Sequence, residues 1–190
     1  MSYAASPRRY VGDVDAATIR PATSSDVPAL SKLAKRTWSE AFGDSISSED
    51  EAIELEETRS ETYFLGALRE KTVLVAENGG VLLGYVQFGD VEIPEVDVRP
   101  GDRGFHRLYV DGPAQGRGLG RRLTDAALQH PRLGEASRIF LTVWGQNDRA
   151  RRLYASFGFQ EVGTTTFTIG SEVVEDLVML LDRSDAVRAK

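Results

Sequence analysis

Between residues 115 and 122 the chain reads Gln115-Gly116-Arg117-Gly118-Leu119-Gly120-Arg121-Arg122. Glycines at alternate positions permit positive φ and close backbone approach. Leu119, Leu123, Ala126 and Ala127 follow at helical spacing, so the loop opens a helix. Amide N–H groups that converge at such a helix N-terminus make a ready anion site. Arg117, Arg121 and Arg122 add cations where the helix dipole disfavours them. Either they serve a bound anion or they form a solvated helix start. Two phosphate loops are excluded. Gly120 is followed by Arg121-Arg122 rather than Lys-Ser/Thr, and neither Gly116 nor Gly118 has a glycine five residues later.

Groups able to move a proton are few. The chain has 2 histidines and no cysteine. That removes disulfides, Cys-ligated zinc, iron–sulfur clusters and thiol nucleophiles, and leaves little room for a histidine-rich metal site, so no metal is expected. His106 lies in the strand-like run Phe105-His106-Arg107-Leu108-Tyr109-Val110. Alternation predicts that it faces the same side as Leu108 and Val110. With a reference pKa near ~6.5 it suits a general base; a structural hydrogen bond at a strand end is the equal alternative. His130, before Pro131, reads as surface.

The elements that must hold these residues follow from periodicity. Thr18 to Ala22 is a short strand. Asp26-Val27-Pro28 opens a helix whose Val27, Leu30, Leu33, Ala34, Trp38 and Ala41 share a face, stopped by Gly43. Ser48 to Glu51 fits a capping box, and Tyr63 to Leu68 suggests a further helix ending near Lys71. Thr72–Glu77 and Val81–Gly89 form a hairpin across Asn78-Gly79-Gly80. Residues 90–104 read as a loop. Arg138 to Trp144 is a buried strand, and Ala150, Leu153, Tyr154 and Phe157 mark a helix closed by Gly158. Glu161–Ile169 and Val173–Leu181 form a second hairpin across Gly170-Ser171. The order predicts an α/β fold with a mixed sheet and helices on its faces. Residues 1–17 read as a flexible N-terminal tail, 18–183 as one domain and 184–190 as a C-terminal tail.

The net charge of −6 is uneven. Asp44 to Glu61 holds eight carboxylates and only Arg59 as a cation, so that segment carries −7 and the remainder +1 (22 cations against 21 anions). A near-neutral body with one acidic stretch argues against nucleic acid as a partner. The stretch is either a solvated, capped helix or a feature that attracts a cationic molecule. No apolar run reaches the ~20 residues of a membrane helix, and the start lacks a secretory h-region. A cytoplasmic enzyme is the expectation, with no membrane partner.

Gln115-x-x-Gly118-x-Gly120 after Leu108-Tyr109-Val110 resembles the acyl-CoA signature of the GCN5-related N-acetyltransferase (GNAT) family. A second block agrees: Leu141-Thr142-Val143-Trp144-x-x-Asn147-x-x-Ala150-x-x-Leu153-Tyr154-x-x-x-Gly158-Phe159. A third follows in Val162-Gly163, Phe167 and Asp176-Leu177-Val178-Met179. The resemblance spans roughly residues 18–182, and its last two blocks look most like the PaiA-like polyamine acetyltransferase branch.

It implies a mostly antiparallel sheet of about seven strands with two central parallel strands, 105–110 and 138–144, splayed for acyl-CoA. By resemblance, the backbone of Leu108 and Val110 would pair with the pantetheine amides, and the Val110 N–H would stabilise the oxyanion. Gln115, Gly116, Arg117, Gly118, Leu119, Gly120 and Arg121 would hold the pyrophosphate. Asn147 would bond the pantetheine arm or cap the next helix. Tyr154 would protonate the leaving thiolate. Many relatives place a glutamate eleven residues before the glutamine; here that position is Gly104, so His106 becomes the candidate base, with Glu92 or Glu40 acting through water as alternatives. The implied function is acetyl-CoA-dependent N-acetylation of a small primary amine, a polyamine being one candidate, by direct attack in a ternary complex. Trp38, Phe42 and Tyr63 are candidates to line the acceptor pocket. Alternatives are a protein or peptide N-acetyltransferase and a non-catalytic acyl-CoA sensor. A homodimer is one assembly the family suggests.

Overall fold

A seven-stranded sheet organises the chain, in the order β1-β2-β3-β4-β5-β7-β6. The computed structural model describes residues 14–43, 46–169 and 172–184. The strands are β1 (Thr18–Pro21), β2 (Thr72–Asn78), β3 (Val81–Gly89), β4 (Asp102–Val110), β5 (Arg138–Trp144), β6 (Gln160–Ile169) and β7 (Glu172–Asp182). The helices are α1 (Val27–Phe42), α2 (Ser48–Arg59), α3 (Glu61–Glu70), α4 (Leu119–Gln129), the short α5 (Pro131–Gly134) and α6 (Asp148–Ala155). The turn expected at Gly170-Ser171 lies outside the described residues. Among the described residues no helix is long and apolar enough to cross a membrane.

Two apolar layers sandwich the sheet. On one face, Leu30, Leu33 and Ala34 of α1 and Phe64 of α3 pack on Val73, Val75 and Tyr85. On the other, Leu119, Leu123 and Ala127 of α4 and Tyr154 of α6 pack on Val86, Phe88, Phe105, Leu141 and Val143. Alternate strand residues feed opposite layers, because strand side chains alternate with period two. Each fully buried aliphatic or aromatic side chain contributes about 1.5–3 kcal/mol.

The segment expected to be a loose tail is fixed over its last residues. Val14 and Ala17 are buried in the α4-side core. The Arg122 guanidinium donates to the carbonyls of Val14 and Ala17. This arginine of the glycine-rich loop therefore anchors residues 14–17 rather than facing outward. The cap of α2 also differs from expectation: Ser47, not Ser48, accepts from the Asp50 amide at 3.1 Å.

β4 begins at Asp102, three residues before the expected start. The reason is its pairing with β5, the one parallel pair: Asp102↔Arg138, Arg103↔Ile139 and Gly104↔Phe140. The pairing stops there. β5 continues on β7 as far as Trp144↔Asp176, and β4 continues on β3 as far as Val110↔Gly84. The two strands thus part beyond residues 104 and 140, as the resemblance implies. Asp102, 2% exposed, pins the closed end. Arg138 holds its carboxylate through Nε at 3.0 Å and Nη2 at 2.5 Å. Burial pushes that carboxyl up, but the Arg138 bonds and the Arg99 amide outweigh burial and hold it below the usual carboxylate range.

Asp102→Asn is expected to cost about 3 kcal/mol in urea unfolding at neutral pH, because it strands Arg138. Since the folded-state pKa is depressed, this contribution is present above ~3.9, the unfolded value, and is lost as acid protonates Asp102. D102N should lack that acid-dependent loss.

Candidate active site

The gap between β4 and β5 is flanked by α4 and α6 on one face and by α1–α3 on the other. On the first face the backbone of β4 is exposed along its β5 side. The Asp111 N–H donates to the Leu83 carbonyl of β3 at 2.9 Å. Antiparallel alternation then turns the N–H groups of Val110 and Leu108 away from β3, into the gap. Their side chains pack on the α4-side core. The Val110 carbonyl is engaged: Gln115 Nε2 donates to it at 3.0 Å, while Arg149 Nη1 donates to Gln115 Oε1 at 2.9 Å. Gln115 thus works through its side chain, bracing the end of β4 against α6.

Gly116 and Gly118 have φ of +77° and +79°. A side chain at either would be strained, which is why the loop needs glycine there. Gly118 is the N-cap of α4, and the first turn of α4 contains no acidic residue. Leu119 is buried, and the Cα of Gly120 faces Leu153, Val110 and Leu108. Arg121 Nη1 donates to Ser156 Oγ at 3.0 Å and its guanidinium stacks 4.9 Å from the Phe157 ring, tying α4 to the end of α6. Arg117 makes a contact of its own within the protein. Asn147 Oδ1 accepts from the Ala150 amide at 3.0 Å and caps α6, one of its two expected roles.

Tyr154 is buried beside the gap, with its ring edge-on to Phe105 at 5.6 Å and to Phe159 at 5.8 Å. Burial pushes its phenol pKa well above the ordinary value, so it keeps its proton throughout the neutral range.

On the opposite face the parting strands floor a cleft of 390 Å³. His106 belongs to this face, which corrects the expectation that it shares a side with Leu108 and Val110. The β3–β4 register steps from Gln87↔Arg107 to Phe88↔Phe105 and passes over His106. A bulge of this kind resets the alternation. Phe105 takes the α4 side instead, and His106 lies with Arg107, Gln87 and Tyr63 along the cleft. Gly104 makes room for it: a Cβ there would stand 2.6 Å from His106 Nε2 and 2.7 Å from the Asp90 carbonyl oxygen. The imidazole therefore fills the space in front of Gly104.

His106 Nε2 bonds the Asp90 carbonyl at 2.7 Å, so Nε2 carries the hydrogen and Nδ1 the lone pair. Nδ1 is buried without a hydrogen-bond partner and stands 3.8 Å from a Glu92 carboxylate oxygen. Burial lowers the pKa of His106 below the usual histidine value, against the Asp90 bond and the Glu92 charge. Glu92 is itself paired with Lys71 at 2.7 Å. Glu40 lies elsewhere, beside Gly112.

Tyr63 lines the cleft, its hydroxyl accepting from Gln87 Nε2 at 2.7 Å. Trp38 is buried under the Arg59 guanidinium at 4.8 Å, and Phe42 packs against Trp144. The carboxylates of the described acidic segment do not line this cleft. Glu54 neutralises buried Arg59 at 2.7 Å, Glu56 pairs with Lys35 at 3.1 Å, and Asp50 accepts from the Ser47 hydroxyl. Asp44 lies outside the described residues. Asp176 of β7, which sequence reasoning met only as part of a motif block and gave no role, lies on the same side of the sheet as the cleft-lining Thr142 and Thr165.

The profile of the acetyltransferase (GNAT) family matches residues 28–159. This chain belongs to that family. It is an acyltransferase, and the sheet that opens between β4 and β5 is the family's fold. An uncharacterised N-acetyltransferase of Lactobacillus delbrueckii subsp. lactis is 27% identical over 156 residues, covering 81% of this chain and 90% of that protein. The spermine/spermidine N(1)-acetyltransferase of Bacillus subtilis (strain 168) is 33% identical over 99 residues, 52% of this chain and 65% of that protein. A PaiA N-acetyltransferase from Thermoplasma acidophilum, crystallised in complex with coenzyme A, shares the fold with a TM-score of 0.71. It covers 88% of this chain and 99% of that one, at 19% identity.

An NMR titration of the His106 ring should give a midpoint below ~6.5, the unperturbed value. Gly104→Ala should push the ring out of its enclosure and return the midpoint toward ~6.5. The lowered pKa also means that protonation favours unfolding. Wild-type stability should therefore fall as pH drops below ~6.5, and His106→Gln should lack that fall.

Proposed function

We propose that this N-acetyltransferase moves the acetyl group of acetyl-CoA to a primary amine of a small cationic acceptor, by direct attack in a ternary complex. One observation carries the reading. Free β4 amides and a glycine-capped helix start lie on one face of the strand gap, and a cleft containing a neutral, enclosed imidazole lies on the other.

The donor side suits a pantetheine arm and its pyrophosphate. The Leu108 and Val110 amides present an unpaired strand edge, which an extended amide chain can join as a strand would. Positive-φ glycines with open space beside them let a pyrophosphate approach the amides from Gly116 to Gly120, and Arg117 and Arg121 supply charge nearby. The Val110 N–H would stabilise the oxyanion that forms on the thioester carbonyl.

The acceptor enters from the opposite face. An ammonium with pKa near ~10 must lose a proton before it attacks. His106 is held neutral by burial, with its Nδ1 lone pair free and Glu92 placed to stabilise the charge it gains. It would take that proton directly or through water. Tyr154, kept protonated by burial, would hand its proton to the departing thiolate. No cysteine exists to carry the acetyl group, which favours a single transfer step. The relatives described above support an amine acceptor, and the B. subtilis enzyme's name supports polyamines among the compounds to try.

A turnover screen with acetyl-CoA across polyamines, amino acids, aminoglycosides and peptides should find a small cationic amine as the best acceptor. Tyr154→Phe should lower kcat by about 10²-fold with the KM for acetyl-CoA held within about threefold. His106→Ala should remove the acidic limb of the kcat/KM profile. Unchanged turnover in the first variant, or an unchanged pH profile in the second, refutes the assigned role.

A further inference from the structure

Among the described residues, Asp176 is the one buried carboxylate on the cleft face that the proposed chemistry leaves unused. It sits in β7 between Trp144 of β5 and Thr165 of β6, two register positions, and so on the same face, from the Thr142 row. Thr142 and Thr165 both line the cleft. Asp176 is 9% exposed, and its Oδ1 is buried with no hydrogen-bond partner. Its neighbours cannot satisfy it fully. Thr165 has a single hydroxyl hydrogen and donates it to Glu95 at 2.6 Å. Burial raises the Asp176 carboxyl to about 6, and the Thr142 hydrogen bond offsets this only in part. Among the described residues no Lys, Arg or His forms an ion pair with it. A buried carboxylate without a counter-charge destabilises a fold, so its presence here has no structural rationale of its own.

We propose that Asp176 is the counter-charge for a cationic nitrogen of the acceptor, held on the floor of the cleft between β5 and β6. The inference deepens the acetyl-transfer reading and rests on it for the identity of the site. The cations already at the cleft are engaged: Lys71 by Glu92, and Arg107 by the Tyr63 ring face at 4.6 Å and the Thr58 carbonyl at 2.5 Å. Neither answers Asp176. An incoming ammonium would supply both the missing donor and the missing charge, and at neutral pH the carboxylate is ionised to receive it. The acidic 44–61 segment, with Glu54 and Glu56 committed to Arg59 and Lys35, is not needed for this recognition.

Calorimetric binding of 1,4-diaminobutane, and separately of coenzyme A, to the full chain and to Asp176→Asn tests the idea. The diamine should bind the variant about 30-fold more weakly, as expected for removing one partner of a buried charge pair. Coenzyme A affinity should not change. With acetyl-CoA present, the KM for the diamine should rise while the KM for acetyl-CoA holds. The variant should melt higher than wild type at pH 7.5, with the gap closing below pH ~4. The folded pKa is raised, so the stability of protonated Asp176 is lost as pH climbs from ~3.9 through its folded value. Equal diamine affinity in the two proteins, or no diamine binding to wild type, overturns the proposal. Diamine binding that depends on Asp176 without acetyl transfer would sustain it and sink the acetyl-transfer reading; acetyl transfer with an unaltered diamine KM in D176N would do the reverse. Should D176N fail to fold, diamine binding to His106→Gln at pH 5 and 7.5 decides, because that variant removes the histidine from the charged groups near the cleft (His106, Glu92, Glu95, Lys71 and Arg107). Affinity should climb with pH as Asp176 ionises, and a flat response contradicts the assignment.

Discussion

Two parallel strands that are joined for three residues and then separate set everything else in this molecule. A continuous β4–β5 ladder would consume the Leu108 and Val110 amides and close the cleft beneath them. Ending it at Gly104↔Phe140 leaves backbone donors unpaired, which a protein interior tolerates only where something else can pair with them. The Asp102–Arg138 ion pair pins the closed end of the joined part. The bulge at His106 comes two residues after the last paired position and turns His106 toward the cleft face. Flanking elements brace this region: Arg121–Ser156 ties α4 to the end of α6, and the Arg149–Gln115–Val110 chain ties α6 to the end of β4.

Burial separates the roles of the titrating groups. The same desolvation that lowers His106 raises Tyr154 and Asp176. At neutral pH this leaves a histidine able to accept a proton, a tyrosine that retains one, and a carboxylate that is ionised yet short of a partner. Low dielectric disfavours every charged form, and its sign depends only on which form carries the charge. On the proposed reading, the strand gap divides a donor face rich in amide N–H groups from an acceptor face that carries these charged groups.

Much of this was legible in the residues. The glycine spacing, the Asn78-Gly79-Gly80 turn and the helical stripes of α1, α4 and α6 each follow from local rules, and they agree with the fold. What escaped has physical reasons. Strict alternation put His106 on the wrong face, because a bulge has no local sequence mark and depends on the register with β3. Arg122 looked like part of an anion site, yet the carbonyls it holds lie more than a hundred residues away. The acidic stretch left open a solvated helix or a cation-attracting surface, and the fold answers it with Glu54 on Arg59 and Glu56 on Lys35, partners only the tertiary fold reveals. Asp176 gained significance solely from what surrounds it.

The central claim is that the freed edge of β4 receives the donor's extended arm. Amide hydrogen exchange at Leu108 and Val110, with and without coenzyme A, tests this most directly. Both amides should exchange quickly in the free protein and become strongly protected on binding, together with the loop from Gly116 to Arg121, while Tyr109, already paired to β3, should change little. Protection that spares Leu108 and Val110 while coenzyme A is bound would contradict the claim.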